Sequence, residues 1–235
     1  MKTIILVGGM GTRLQSVVKD VPKPMADING KPFLEYLMDN MLQYGATEFI
    51  LCVGHLREVI MDYFKDNFKG VPVKYSVEEE LLGTGGAIKQ AFDLFDLDNA
   101  VIINGDTFVK MDYAKFYQTM QGEKLGLSLK YVENASRYGL VKTEDDRAVE
   151  FTEKKDTDEA GFINDGIYYV EKTLFDRELP QKFSFEKDIL EKVITTMKPK
   201  FFKADDYFID IGLPESYSQA CEELEREIYE SRTNI

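Results

Sequence analysis

Residues 3–7 read Thr-Ile-Ile-Leu-Val and stop at Gly8-Gly9. A short, β-branched apolar run ended by glycines is the pattern of a strand buried on both faces, as in a parallel sheet. Glu48–Val53 and Ala100–Asn104 repeat the pattern. Between the first two runs the spacing predicts a helix. Pro32 suits its first turn and Gly45 the position after its end. Phe33, Leu34, Leu37, Met38, Met41 and Leu42 form one apolar stripe along it. A second helix is predicted over about 55–68, with Leu56, Ile60, Tyr63 and Phe64 inward. A strand follows at Val71–Val77, and Gly85–Phe92 begins another helix. Such alternation implies right-handed crossovers and a mostly parallel central sheet flanked by helices, an α/β fold. The second half reads as β-rich, with strands over 125–132, 139–143, 148–153 and 162–170. A helix at about 185–195, a strand around 207–211 and a last, strongly charged helix over 215–230 complete it.

The 235 residues are 44% hydrophobic and 30% charged, which are globular values. A chain of this length buries roughly 70% of its unfolded surface and needs no staples. No Pro/Gly/Ser linker divides it, so a single domain over 1–235 is expected. Basic residues number 29 and acidic residues 42, for a net charge of −13. That balance argues against a nucleic-acid partner, which calls for a basic footprint. Small anionic ligands remain open to it if cations gather locally. Cys52 and Cys221 form no framework and read as reduced thiols. The N-terminal apolar stretch is too short for a signal segment, and no run reaches the roughly 20 apolar residues of a membrane span. A cytoplasmic protein with no membrane partner is expected.

The chemistry begins where the first strand stops, at Gly8-Gly9-Met10-Gly11-Thr12-Arg13-Leu14. Glycines after a parallel strand let the backbone approach a phosphate, and free N–H groups can cradle it. The dinucleotide fingerprint fails, because Leu14 stands where its third glycine belongs, and no P-loop motif exists. Instead an arginine follows directly, and its fork suits phosphate oxygens. Further on, Pro22 and Pro24 bracket Lys23 and restrict the backbone on both sides. A cation pre-organised beside a glycine loop fits a triphosphate.

Together these two segments resemble the signature of the sugar-1-phosphate nucleotidyltransferases, the NDP-sugar pyrophosphorylases. Three more segments agree: Leu82-Gly83-Thr84-Gly85-Gly86-Ala87, Asn104-Gly105-Asp106-Thr107 and Phe208-Ile209-Asp210-Ile211-Gly212-Leu213-Pro214-Glu215. The resemblance spans nearly the whole chain and implies a Rossmann-like nucleotidyltransferase fold. Within the family the nearest likeness is to the D-glycero-D-manno-heptose 1-phosphate guanylyltransferases, then to the mannose-1-phosphate guanylyltransferases. It implies nucleotide contacts from Leu6, Gly8, Gly9, Gly11, Thr12, Arg13, Lys23, Glu80, Gly83, Thr84 and Gly85, and Mg²⁺ held by Asp106 and Asp210. The residues support this. Asp106 follows an apolar strand, which puts a carboxylate at the carboxyl end of a parallel sheet, where α/β ligand crevices form. Asp210 interrupts an apolar-aromatic run and is costly to bury unless paired or metal-bound.

The resemblance also implies sugar-phosphate contacts from Gly139, Glu153, Lys154 and Asn164, with Lys154, or its neighbour Lys155, on the phosphate. The catalytic set it implies is Arg13, Lys23, Asp106, Lys154 and Asp210. Position 165 departs from the family pattern. Asp165 either reads an additional hydroxyl or points away. The acidic run Glu78-Glu79-Glu80 suits guanine, whose adjacent N1–H and N2–H one carboxylate can accept. The expected activity is transfer of a nucleoside monophosphate, GMP from GTP, to a sugar 1-phosphate with release of pyrophosphate. Alternatives are another base or a non-sugar acceptor, or a non-catalytic nucleotide-binding subunit that would not need Arg13, Lys23, Asp106 and Asp210. His55, the single histidine, has no partner motif and reads as structural.

Overall fold

The computed structural model describes residues 1–9, 11, 14, 18, 21–152 and 158–229. The first apolar run is strand β1 (Lys2–Leu6). A short 3-10 turn at Lys23–Met25 leads into a small ribbon, β2 (Asp27–Ile28) and β3 (Lys31–Pro32), and then α1 (Phe33–Gln43). Pro32 caps α1 at φ −59°, and Gly45 leaves its end at φ +81°, as the punctuation predicts. Next come β4 (Glu48–Val53), α2 (Arg57–Phe64), β5 (Asn67–Phe68) and β6 (Val71–Val77). α2 is shorter than the helix predicted over 55–68. Leu56 and Lys65 flank it at positive φ, and Asn67 opens a hairpin whose turn closes through Gly70 N–H on Asn67 Oδ1 at 2.9 Å. Turn chemistry overrides the apolar spacing there.

α3 (Gly83–Phe95), β7 (Asn99–Asn104), β8 (Thr107–Val109) and α4 (Tyr113–Thr119) complete the first half. The second half runs β9 (Leu125–Val132), β10 (Leu140–Glu144), β11 (Arg147–Thr152) and β12 (Gly161–Glu171). A π-helical turn at Phe185–Leu190 flows into α5 (Glu191–Met197). β13 (Lys200–Lys203), β14 (Phe208–Asp210) and α6 (Pro214–Tyr229) follow.

Among the described residues, ten strands share one mixed sheet in the order β10-β11-β13-β9-β12-β7-β1-β4-β6-β5. β6, β4, β1 and β7 are mutually parallel. β12 lies antiparallel between β7 and β9 and joins the β-rich half to the parallel half. The interiors of the central strands β1, β4 and β7 are mostly apolar because both faces are covered. Ile5, Phe49 and Val101 pack with α1 into one core, while Ile4, Ile50 and Ile102 pack with α3 and α5 into the other. The carboxyl ends of β1 and β7 meet side by side and are left open at one edge of these layers, the position where parallel sheets hold ligands. Among the described residues, no helix is long and apolar enough to cross a membrane.

Candidate active site

A cleft of about 510 Å³ opens at those strand ends, a size suited to a nucleotide-scale ligand. Leu6, Gly8, Gly9 and Gly11 line it, as do Lys23, Gly83, Thr84 and Asp106. Gly11 takes φ +56°, and a Cβ there would meet Lys23 Cβ at 2.9 Å. The glycine loop and the proline-bracketed lysine are therefore in contact. Met10, Thr12 and Arg13 lie outside the described residues.

Carboxylates and cations pair at one end of the cleft. Lys23 Nζ donates to Asp106 Oδ2 at 2.6 Å, with only 13% of its side chain exposed. β14 pairs with β8 so that Asp210 faces Thr107, and Ile211 N–H donates to the Asp106 carbonyl at 2.9 Å. This brings the two aspartates to one place. Asp210 is held tightly: Arg137 Nη2 donates to its Oδ1 and Oδ2 at 2.7 and 2.9 Å, Gly212 N–H to Oδ1 at 2.9 Å, and the Tyr138 hydroxyl to Oδ2. Burial and the Asp210 carboxylate push the Tyr138 phenol well above its usual range, so it remains a donor. A Cβ at Gly212 would stand 2.6 Å from Asp210 Oδ1 and 3.4 Å from Lys23 Nζ. The bare glycine leaves space between the two charges.

At the other end Glu78, not Glu80, enters the cleft. Glu78 extends the β6 ladder through its N–H to the Val53 carbonyl and accepts Leu82 N–H at 2.9 Å. A Cβ at Gly8 would meet Glu78 Oε1 at 2.6 Å, so this carboxylate lies against the start of the glycine loop. Burial pushes the Glu78 carboxyl upward, opposed by the Leu82 N–H. Glu79 pairs with Arg57 at 3.2 Å, and Glu80 is exposed. Of the three glutamates in the acidic run, the pleat and the Leu82 amide place Glu78 at the cleft, while Glu80, the residue expected at the nucleotide, stands exposed. Gly85 is buried against Phe183 rather than lining the cleft. Thr84 lines it, but its hydroxyl donates to Glu186 Oε2 at 2.7 Å and accepts Phe185 N–H at 2.9 Å. Lys182 reaches the rim because Phe183 zips its segment onto α3, accepting from Gly85 N–H at 3.1 Å.

On the acceptor side, Asn164 N–H donates to the Gly139 carbonyl at 3.0 Å, which joins two of the expected sugar residues. Glu153, Lys154 and Lys155 lie outside the described residues. Asp165 is 2% exposed and bonds inward to Ser128, so it is not offered to a sugar hydroxyl. Sequence reasoning passed over Arg137, Tyr138, Lys182 and Glu186. Arg137-Tyr138 stand directly before Gly139, yet no local pattern announces that they meet Asp210. Lys182 and Glu186 carry no sequence signal.

Asp106 and Asp210, brought to one place and each paired with a cation, are the carboxylates that would serve a divalent cation with hard oxygen preference, which takes one or two carboxylates and completes its shell with water and phosphate. Among the described residues no cluster of three or more His, Cys, Asp or Glu side chains offers a full protein cage. The donor set fits Mg²⁺ brought with a nucleotide better than a permanently caged metal.

A family model described as nucleotidyl transferase matches residues 2–227. The D-glycero-alpha-D-manno-heptose 1-phosphate guanylyltransferase of Aneurinibacillus thermoaerophilus is 46% identical over 97% of this chain and 100% of its own. The protein of the same name from Campylobacter jejuni subsp. jejuni is 46% identical over 92% and 97%. Among solved structures, HddC from Yersinia pseudotuberculosis complexed with GMP-PN superimposes with a TM-score of 0.84 at 40% identity, covering 95% of this chain and 99% of that one.

Proposed function

The chain belongs to the nucleotidyl transferase family, and from that premise we propose that it transfers GMP from GTP to D-glycero-D-manno-heptose 1-phosphate, releasing pyrophosphate and forming a GDP-sugar. The observation that carries the reading is the meeting of Lys23, Asp106 and Asp210 around the space at Gly212, at the phosphate end of a glycine-lined cleft. The guanylyltransferases that share 46% of its residues support the base and the acceptor. Glu78 supports guanine independently, since a carboxylate in the cleft accepts both N1–H and N2–H. The same reading sets the enzyme in the cytoplasm, where GTP is supplied and Cys52 and Cys221 stay reduced.

In the mechanism, Gly8, Gly9 and Gly11 let the backbone close on the triphosphate. Lys23 leaves or shares Asp106 to reach a phosphate oxygen, and Arg13 holds the departing pyrophosphate. Lys154 aligns the sugar phosphate, whose oxygen attacks the α-phosphorus in line. That oxygen is already anionic, so no side chain needs to remove a proton. Catalysis is then positioning and charge neutralisation. Asp106 and Asp210 would hold Mg²⁺, which when bound neutralises charge on the reacting phosphates. Arg137 and Tyr138 orient the Asp210 carboxylate, and Asn164 with the Gly139 backbone orients the sugar ring.

Pyrophosphate release tests the reading, with the common nucleoside triphosphates crossed against mannose, glucose, N-acetylglucosamine and D-glycero-D-manno-heptose 1-phosphates. Release confined to GTP with the heptose phosphate is expected. Turnover with UTP or dTTP in preference to GTP would overturn the base assignment, and preference for mannose 1-phosphate would overturn the acceptor.

A further inference from the structure

The strand that carries Asn164 breaks its register at that residue. β12 pairs with β9 as Asn164 opposite Leu129 and resumes as Tyr168 opposite Leu127. Asp165, Gly166 and Ile167 therefore face Ser128 alone. A bulge of this kind costs backbone N–H groups their ladder partners and re-aims side chains. Here the side chains of Asn164 and Asp165 take up the freed donors. Asn164 Oδ1 accepts Gly166 N–H at 3.3 Å, and Asp165 Oδ1 accepts Ile167 N–H at 3.2 Å. The second oxygen of Asp165 accepts the Ser128 hydroxyl at 2.6 Å, which ties the bulge to β9.

On its other side the bulge bears on the cleft. Gly166 takes φ +84°, and a Cβ there would stand 2.4 Å from Nδ2 of Asn104, a cleft residue. Asn164 is oriented by the same arrangement. Its Nδ2 donates to the Tyr168 hydroxyl at 2.7 Å, and its backbone N–H holds the Gly139 carbonyl. One amide hydrogen and one lone pair of Asn164 remain for a ligand hydroxyl.

Asp165 is a costly residue for a turn. Its partners are a hydroxyl and an amide rather than a cation, and burial pushes its carboxyl up to about 7 although Ser128, Ile167 and Lys130 pull it down. The charged or titratable groups facing it are Lys130 of β9, Tyr113 of α4 and Tyr168 of its own strand. The Lys130 amine is itself engaged by the carbonyls of Asp205 and Asp206. A serine would satisfy Ile167 N–H at lower cost. What the longer carboxylate adds is the reach to Ser128, and local conflicts of this sort gather where a site requires them.

We propose that Asp165 is a positioning residue for the sugar 1-phosphate: by tying the β12 bulge to Ser128 it fixes Asn164 and the Gly139 carbonyl in the acceptor half of the site. This inference rests on the nucleotidyltransferase reading above. Asp165 does not touch the sugar. It sets the residues that do, and leaves the nucleotide half alone.

The test compares wild type with Asp165→Ala, Asp165→Asn and Ser128→Ala. KM for the sugar 1-phosphate, kcat and GTP affinity by calorimetry are measured from pH 6 to pH 8. Asp165→Ala is expected to raise the sugar-phosphate KM by about tenfold, the scale of one buried hydrogen bond to a charged group, with GTP affinity within about twofold of wild type. Asp165→Asn keeps an oxygen for Ile167 N–H and an amide for Ser128, so it should restore KM to within about threefold. Its KM should also stay flat across the pH range in which the wild-type KM moves. A folded Asp165→Ala with unchanged KM, or with KM and GTP affinity worsening together, overturns the proposal. Should that variant fail to fold, an unchanged KM in Ser128→Ala with one pH profile for wild type and Asp165→Asn overturns it. Failure of the wild type to use any sugar 1-phosphate overturns the underlying reading and the proposal with it.

Discussion

Lys23 Nζ stands 2.6 Å from Asp106 Oδ2 across 83 residues of sequence, and this ion pair lies in the wall of the cleft. In the ligand-free chain each cation neutralises the carboxylate nearest it, Lys23 on Asp106 and Arg137 on Asp210. Under the proposed function, a nucleotide with its divalent cation would enter this arrangement and redistribute it. Asp106→Ala should therefore lower pyrophosphate release by roughly 100-fold or more, the scale seen when one preorganised charge partner is removed. The melting temperature should stay within a few degrees of wild type, because Asp106 is partly exposed. Near-normal turnover in that variant would remove Asp106 from the reaction.

Arg137 competes for the same oxygens that a cation would use on Asp210, and it also aims them. Arg137→Ala should lower kcat by roughly tenfold, as loss of an outer-shell partner commonly does. It should tighten Mn²⁺ binding in the presence of GTP by about threefold, since the guanidinium no longer contends for the carboxylate. Paramagnetic titration of Mn²⁺ reads the second effect without turnover. Weaker Mn²⁺ binding would show that Arg137 supports the cation rather than competing with it.

Glu78 is the carboxylate of the acidic run that lines the cleft, and the proposed function gives it the guanine base. Glu78→Gln should weaken GTP binding by roughly 10- to 100-fold, the value of hydrogen bonds to a charged acceptor. UTP affinity should change little, because an amide can both donate to and accept from a pyrimidine. Calorimetric titration of both nucleotides decides it, and equal losses for the two would contradict guanine readout by Glu78.

Asp165 gives stability a defined dependence on pH. Its folded carboxyl titrates at about 7 against an ordinary value near 4 in the unfolded chain. The folded state thus favours the protonated form. The contribution is full below about pH 4 and is lost as pH rises through 7. Asp165→Asn lacks that loss, so its stability relative to wild type should improve as pH rises from 4 to 8. Urea unfolding at several pH values measures the trend, and parallel profiles for the two proteins would contradict it.

Much of the site was legible from local pattern. Gly8 and Gly9 after an apolar strand, Lys23 between prolines and Asp106 after a second such strand each follow from rules that act over a few residues. The acidic run before α3 was legible as a feature, but not which glutamate the fold turns into the cleft. The boundaries of α2 were misread because Leu56 and Lys65 adopt positive φ, a backbone choice that apolar spacing does not encode.

By itself the sequence determined the alternating α/β order, the open strand ends and the kinds of charge placed there, since these depend on side-chain period and on glycine and proline stereochemistry. Tertiary structure alone decided which charge meets which. Arg137 reaches Asp210 because β14 folds back on β8 at the foot of the cleft. Asp165 turns inward because β12 slips its register against β9. In a strand, side-chain direction is set by pairing with a partner far away in sequence, and a change of register there sends a side chain to the other face whatever its own neighbours in the chain prefer.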